Sequence, residues 1–140
     1  MRYIGLDLGT TTCGVAITDK TNTLVSPLKL IKFAREDYET ALKEVLVIIK
    51  EKNVDVVVLG LPKNMDNTMG FAADRSLNFK KMLEENNVKV ELQDERLTSV
   101  EAINIMKNNG LKQISKKGKT DIISATLILE SYLKKVSYGK

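Results

Sequence analysis

The sequence of 140 residues contains no histidine, a single cysteine and few aromatic side chains. The absence of histidine removes the commonest general base and the usual activator of a serine or cysteine nucleophile. Any hydrolytic chemistry would therefore depend on carboxylates and a bound metal ion. The single cysteine, Cys13, has no partner for an internal disulfide, and we interpret it as a buried structural thiol. Aromatic residues make up only 5% of the chain, so base stacking is not expected to dominate single-strand recognition.

Signals for membranes and for export are absent as well. No apolar run approaches the roughly 20 residues that a membrane-spanning helix requires. The N-terminus shows neither the layout of a secretion signal nor an arginine-rich transit pattern. We therefore expect a cytoplasmic protein that does not enter a membrane. The length and the 43% hydrophobic content predict a single domain that spans residues 1–140.

Positive charge is concentrated in one segment, although the net charge of +4 is modest. Between positions 107 and 119 the sequence has no acidic residue and five lysines, namely Lys107, Lys112, Lys116, Lys117 and Lys119. Such a segment could follow a phosphate backbone. It could equally be a mobile, solvated loop over residues 110–120. The sequence leaves both interpretations open.

The first third of the chain has the pattern of three short strands joined by turns. We predict strands from Arg2 to Leu8, from Cys13 to Thr18 and from Leu24 to about Ile31. The connections are short and rich in glycine, threonine, aspartate and asparagine, which favours an antiparallel meander.

Helices and strands alternate in the remainder of the chain. Apolar spacing predicts helices over about 37–52, 70–85, 98–109 and 121–134, and strands over 54–59 and 88–92. The resulting order, βββαβαβαα, predicts an α/β fold. In it a mixed five-stranded sheet combines the antiparallel meander with parallel strands and is flanked by helices.

Three acidic residues stand at the ends of predicted elements. Asp7 ends the first strand before a turn of glycine and threonine, Glu95 follows the last strand, and Asp121 opens the last helix. The first and last strands are predicted to be parallel, so Asp7 and Glu95 should lie at the same edge of the sheet. The helix dipole would keep Asp121 ionised. Carboxylates bind Mg²⁺ and Mn²⁺ well, and two such ions about 3.5 to 4 Å apart can drive phosphodiester hydrolysis. Together the three acids predict a metal-dependent nuclease.

Each acid also has a purely structural interpretation. Asp7 could cap the turn before Gly9, Glu95 could pair with Arg96 on the surface, and Asp121 could be an ordinary first-turn acid. Their joint placement is what favours a site.

Four motifs in this order resemble those of the YqgF (RuvX) family. Members of that family are RNase H-like proteins described as Holliday-junction-resolvase-like and as nucleases that mature precursor 16S ribosomal RNA. The motifs are residues 7–10 with 14–16, 60–62 with 64–66, 94–97, and 117–119 with Asp121. The resemblance implies an RNase H-like nuclease of structured RNA that uses Mg²⁺ or Mn²⁺. It implies that Asp7, Glu95 and Asp121 are the catalytic metal ligands. The substrate-binding candidates are Thr10, Arg96, Lys117 and Lys119.

The sequence departs from the family pattern at three positions. Thr11 stands where members usually carry lysine or arginine, and Asn67 stands where a glycine is usual. Ser124 lies one turn after Asp121, where true junction resolvases place a fourth acid. The last difference weakens the resolvase interpretation.

Three alternative functions remain open. The first is resolution of four-way DNA junctions, and the second is a non-catalytic module that binds RNA. The third is a nucleotide-binding ATPase of the actin and chaperone type, because residues 5–11 are similar to the phosphate loop of those proteins. Such ATPases hold ATP between two related lobes, and this chain has room for only one.

Overall fold

The computed structural model describes residues 2–19, 24–61, 71–94 and 116–138. Within these ranges the chain forms five strands and three helices. The strands are β1 (Tyr3–Leu8), β2 (Thr12–Thr18), β3 (Val25–Lys32), β4 (Val56–Leu61) and β5 (Lys89–Asp94). The helices are α1 (Tyr38–Lys52), α2 (Phe71–Glu85) and α3 (Lys116–Tyr138).

The strands form one mixed sheet in the order β3-β2-β1-β4-β5. The first three strands pair in antiparallel fashion, whereas β1 is parallel to β4 and β4 is parallel to β5. The predicted five-stranded sheet, with its meander and its parallel strands, is therefore confirmed. Because β1, β4 and β5 run in the same direction, their carboxyl ends meet at one edge of the sheet.

The two faces of β1 have different roles. Ile4, Leu6 and Leu8 are buried in the core that the sheet forms with α1 and α2. Side chains alternate along a strand, so Gly5 and Asp7 belong to the opposite face. That face is covered by α3, whose buried residues pack against a second, smaller core. Asp7 is thus directed to the α3 side of the sheet.

β4 is the central parallel strand, and all of its residues are buried. It begins two residues later than predicted. Asp55 is exposed and accepts the backbone N–H of Arg2 at 2.7 Å, while the N–H of Val54 bonds the carbonyl of Ile49 at 3.0 Å. Val54 therefore belongs to the connection from α1, and Asp55 is bonded to Arg2 just before β1.

Helix α1 has the bounds that its sequence predicts. Asp37 caps its start by accepting the N–H of Thr40 at 3.4 Å and the hydroxyl of Thr40 at 2.7 Å. Asn53 ends it in the left-handed conformation, with its own N–H bonded to the carbonyl of Ile49. The buried face of the helix consists of Ala41, Val45 and Ile48.

Helix α3 begins earlier than the predicted start at Asp121, because it runs from Lys116 to Tyr138. Two predictions were therefore wrong. Residues 116–120 are helical and not part of a loop, and Asp121 is the sixth residue of the helix, beyond the first turn in which the dipole acts. Gly118 made the segment resemble a loop, but one glycine costs a helix only about 1 kcal/mol. Packing on the sheet outweighs that cost, through Ala125, Ile128 and Leu129.

The other elements differ little from prediction. Helix α2 begins at Phe71, one residue after the expected Gly70, and β5 extends to Asp94, two residues beyond the expected end. The helix predicted to start at Thr98 lies outside the described residues. Among the helices in the described ranges, none combines the length and the apolar character needed to cross a membrane.

Candidate active site at the carboxyl end of β1

Asp7 lies one residue before the end of β1 and is half-buried. Its cross-strand partner in β2 is Gly14. On the other side, Leu6 pairs with Leu59, which places Gly60 of β4 next to Asp7. Glycine has no side chain, so neither cross-strand neighbour of Asp7 projects a side chain onto this face of the sheet.

The same row of the sheet continues into β5. The register of β4 and β5 aligns Gly60 with Gln93, so Asp7, Gly60 and Gln93 lie side by side. Neighbouring strands are about 4.8 Å apart, which puts the backbones of Asp7 and Gln93 roughly 10 Å from each other. The side-chain Oε1 of Gln93 is buried and has no hydrogen-bond partner among the described residues. Gln93 was not a predicted site residue, and only the strand register reveals its position.

Helix α3 touches β1 at Gly5. An ideal Cβ on Gly5 would lie 2.7 Å from the carbonyl oxygen of Ala125 and 2.8 Å from the Cβ of Leu129. Only glycine allows the helix backbone to come so close. Towards the start of β1, the ring of Tyr132 lies 5.9 Å from the ring of Tyr3. Helix α3 therefore runs antiparallel to β1, and its earlier residues lie over the later residues of the strand.

This direction brings Asp7 and Asp121 to the same end of the contact. Asp7 follows Gly5 by two residues, a rise of about 6.7 Å along a strand. Asp121 precedes Ala125 by four residues, a rise of about 6 Å along a helix. The backbones of the two acids therefore lie at the same edge of the sheet. The side chain of Asp121 lies outside the described part of the chain.

The third predicted acid, Glu95, follows the end of β5. β5 ends at Asp94 and is parallel to β1, so the chain leaves it at the edge where Asp7 lies. Glu95 is the next residue in the sequence, but it lies outside the described residues, as does Arg96. The backbones of Lys117 and Lys119 belong to the first turn of α3, at the same edge again. Their side chains are not among those described.

The turn that follows Asp7 is held by backbone hydrogen bonds. Gly9 donates its N–H to the carbonyl of Thr12 at 2.7 Å. The carbonyl of Thr10 accepts the N–H of Glu36 at 2.8 Å, and Glu36 has the left-handed φ of 61°. The carbonyl of Thr11 also accepts a backbone N–H from the segment that follows β3. The connection from β3 to α1 thus fixes Thr10 beside the site.

The donor atoms near Asp7 are oxygens. The chain has no histidine, and Cys13 is buried on the opposite face of the sheet, as a structural thiol should be. The carboxylate of Asp7 suits Mg²⁺ or Mn²⁺ better than zinc. Among the side chains that the structure describes, no three histidine, cysteine or acidic groups form a cluster. Of the three predicted acids, only Asp7 has a described side chain.

A hydrogen-bond network holds the start of β1, at the edge of the sheet opposite to Asp7. The hydroxyl of Thr18, which is buried, accepts the N–H of Tyr3 at 3.0 Å. The guanidinium of Arg2 donates to the carbonyls of Thr18 and Lys52, both at 3.1 Å. These bonds tie the start of β1 to the end of β2 and to α1, so the strand that carries Asp7 is anchored at both ends.

The phenol of Tyr132, on α3, lies near the start of β1. Burial raises the pKa of Tyr132 above its ordinary value, and the Glu91 carboxylate and the neighbouring Tyr3 raise it further. The shift is consistent with the close packing of α3 on the sheet.

A separate groove of about 400 Å³ lies between β3 and α1. It contains the ion pair between Lys29 and Glu44, whose charged atoms are 3.4 Å apart. Its apolar floor includes Leu28 and Ile48, which pack with the core on the α1 side. The groove is therefore on the opposite face of the sheet from Asp7 and is not part of the candidate site.

Comparisons with known proteins give a consistent result over nearly the whole chain. A family model described as "RuvX: Holliday junction resolvase" matches residues 1–135. A protein of Oenococcus oeni named "Putative pre-16S rRNA nuclease" is 40% identical over 137 residues, which cover 96% of this chain and 95% of the relative. A protein of Clostridium acetobutylicum with the same name is 36% identical over 137 residues, 97% of this chain and 100% of the relative.

Solved structures of low sequence identity share the fold. Thermus thermophilus RuvC, in complex with a Holliday junction substrate, has a TM-score of 0.61 at 16% identity, over 96% of both chains. The fowlpox virus Holliday junction resolvase has a TM-score of 0.59 at 22% identity, over 96% of this chain and 99% of that one. The predicted RNase H-like fold is confirmed, and the chain belongs to the RuvX family of nucleases.

Proposed function

We propose that this protein hydrolyses phosphodiester bonds in structured RNA and that its substrate is the precursor of 16S ribosomal RNA. The observation that carries the proposal is the convergence of Asp7, the end of β5 and the start of α3 at one edge of the sheet. The proposed substrate is taken from the names of relatives that align over nearly their full length. In this proposal residues 1–140 act as one domain, and the protein works in the cytoplasm.

Asp7, Glu95 and Asp121 are the proposed ligands of Mg²⁺ or Mn²⁺. The carboxylate of Asp7 at the end of β1, with glycines as its neighbours on β2 and β4, supports this assignment. Such ions, when bound, supply an activated water molecule and stabilise charge on the phosphoryl oxygens. Asp7 contributes a carboxylate on a central strand that is hydrogen-bonded on both sides, which limits its movement.

The other predicted residues have roles in substrate binding. The hydroxyl of Thr10, in the hydrogen-bonded turn, is suited to donate to a phosphate oxygen. Arg96 can bind a phosphate through two parallel hydrogen bonds. Lys117 and Lys119 belong to the start of α3 and would offset phosphate charge there.

Cleavage of four-way DNA junctions is the weaker candidate. Its support is the fold shared with RuvC and the viral resolvase, and fold alone does not determine the substrate. Ser124 argues against it, because this residue replaces the fourth acid expected of junction resolvases and is only 1% exposed. A hydroxyl buried there cannot provide the charge of a carboxylate.

The test is cleavage of two substrates by matched variants. Purified protein is incubated with Mn²⁺ or Mg²⁺ on precursor 16S ribosomal RNA and on a four-way DNA junction. We expect cleavage of the RNA at a defined position, and a loss on the order of 100-fold or more in Asp7→Asn and Glu95→Gln, as for other preorganised catalytic groups. Glu85→Gln, an exposed carboxylate at the far end of α2, should cleave like the wild type.

The possible results separate the alternatives. Equal cleavage by the wild type and by Asp7→Asn would mean a contaminating nuclease or a wrong site. Binding of the RNA without cleavage by any form would indicate a non-catalytic module. Faster cleavage of the junction than of the RNA would favour the resolvase.

A further inference from the structure

Gln93 has a buried acceptor atom that no described residue uses. Its Oε1 has no hydrogen-bond partner among the described residues. Burying a carbonyl oxygen without a donor is unfavourable, and native proteins seldom tolerate it without a functional reason. The other two such atoms in the described ranges are Arg75 Nε and Ser76 Oγ. Both belong to α2, on the opposite face of the sheet.

The position of Gln93 links this acceptor to the candidate active site. Gln93 is in the same row of the sheet as Asp7, with Gly60 between them. No side chain of β4 therefore separates the two residues on the α3 face. The distance of two strand spacings, about 10 Å, is short enough for one bound nucleic-acid strand to span. A nucleic-acid strand held at Asp7 would reach Gln93 with a neighbouring nucleotide.

The chemistry of the acceptor limits what it can bind. A phosphodiester offers oxygen acceptors and no hydrogen-bond donor, so Oε1 cannot be a phosphate contact. The ribose 2′-hydroxyl is a donor that occurs at every nucleotide of RNA and is missing from DNA. We propose that Gln93 is a specificity-determining residue whose Oε1 accepts a hydrogen bond from a ribose 2′-hydroxyl next to the cleavage position.

The inference deepens the proposed function and rests on it, because it assumes that a nucleic-acid strand is bound at Asp7. It gives this nuclease a physical basis for preferring RNA to DNA. The contact would be made by a strand of the sheet, which is more rigid than a loop and so suits discrimination between two sugars.

The experiment compares RNA and DNA of one sequence in a binding assay that needs no cleavage. Fluorescence anisotropy in Ca²⁺ gives the Kd of a structured RNA and of the same sequence as DNA. The variants are Gln93→Met, which keeps the shape and removes the acceptor, and Gln93→Glu, which keeps an acceptor. Asn78→Leu removes an exposed amide from α2 and is the matched control. Thermal unfolding of each variant checks the fold.

We expect Gln93→Met to weaken RNA binding about 3- to 10-fold, the range for one hydrogen bond, and to leave DNA binding within about twofold. Gln93→Glu should bind both nucleic acids more weakly and keep the preference for RNA. A single 2′-deoxy substitution beside the cleavage position should weaken binding to the wild type by the same factor and have no effect on Gln93→Met. Asn78→Leu should bind as the wild type does.

Several results would overturn the inference. One is an equal loss of RNA and DNA binding in Gln93→Met, or a preference for RNA that persists in this variant. Another is equal binding of RNA and of DNA by the wild-type protein. A lower melting temperature with an unchanged Kd ratio would make Gln93 a structural residue. Dependence on base identity and not on the 2′-hydroxyl would mean that Gln93 contacts a base. Failure of the proposed function is a different result, namely the absence of cleavage that depends on Asp7.

Discussion

Gly5 of β1 lies against the backbone of Ala125 in α3, so closely that an ideal Cβ on the glycine would be 2.7 Å from the alanine carbonyl oxygen. This contact sets the distance between the central strand and the helix. Asp7 lies two residues beyond Gly5, and Asp121 lies one helical turn before Ala125. The separation of the two proposed metal ligands therefore depends on a residue without a side chain.

Replacing Gly5 with alanine should separate α3 from the sheet. The added methyl group has no room, because its neighbours are the helix backbone and the Cβ of Leu129. We expect Gly5→Ala to lower the free energy of unfolding by about 1 to 3 kcal/mol, the usual cost of overpacking, and to weaken Mn²⁺ binding. Urea denaturation measures the first effect. Equal stability of Gly5→Ala and the wild type would show that the contact does not set the spacing.

The sheet could be predicted from the sequence because its signals are local. Alternation and β-branched runs indicated the strands, short turns indicated the meander, and helical crossovers indicated the parallel additions. The caps of α1 were equally clear, since Asp37 and Asn53 are residue types that begin and end helices. The position of Asp7 at the end of β1 could be predicted for the same reason, because it is a carboxylate at the end of an apolar run.

Other features depend on contacts that no local pattern shows. The start of α3 at Lys116 was missed because Gly118 and the surrounding lysines are typical of loops, while the packing that stabilises the helix comes from residues a turn or more later. The position of Gln93 in the same row of the sheet as Asp7 follows from the register of three strands. The close approach at Gly5 depends on a helix 120 residues later in the chain, and no sequence pattern around Gly5 indicates it.

The lysines at the start of α3 should contribute to binding of nucleic acid through phosphate charge. Each phosphate contact adds roughly 0.7 to 0.9 to the slope of log affinity against log salt concentration. We therefore expect Lys117→Ala combined with Lys119→Ala to reduce that slope by about 1.4 to 1.8. RNA binding titrated between low and moderate salt gives the slope. The matched control combines Lys134→Ala with Lys135→Ala, two exposed lysines near the other end of the same helix. Equal slopes for both double variants would show that the start of α3 is not part of the binding surface.

Tyr132 should make the free energy of unfolding depend on pH in the alkaline range. Burial raises the pKa of its phenol, with additional contributions from Glu91 and Tyr3. The folded protein therefore holds this proton more tightly than the unfolded chain does. The associated stability is fully present below the ordinary phenol pKa of about 10 and is lost as pH rises through the folded pKa. Urea unfolding at several pH values above 9 should show a steeper loss in the wild type than in Tyr132→Phe. Identical pH profiles would contradict the prediction.

The central claim is that Asp7, Glu95 and Asp121 bind the same divalent ion or pair of ions, and Mn²⁺ affinity tests it most directly. Calorimetric titration with Mn²⁺ is carried out on the wild type, on Asp7→Asn, Glu95→Gln and Asp121→Asn, and on the control Glu85→Gln. Loss of even an outer partner of a metal ligand costs about 10- to 100-fold in affinity. We predict a loss of at least about tenfold in each of the three variants and none in the control. Wild-type Mn²⁺ affinity in Glu95→Gln or in Asp121→Asn would show that the three carboxylates do not form one metal site.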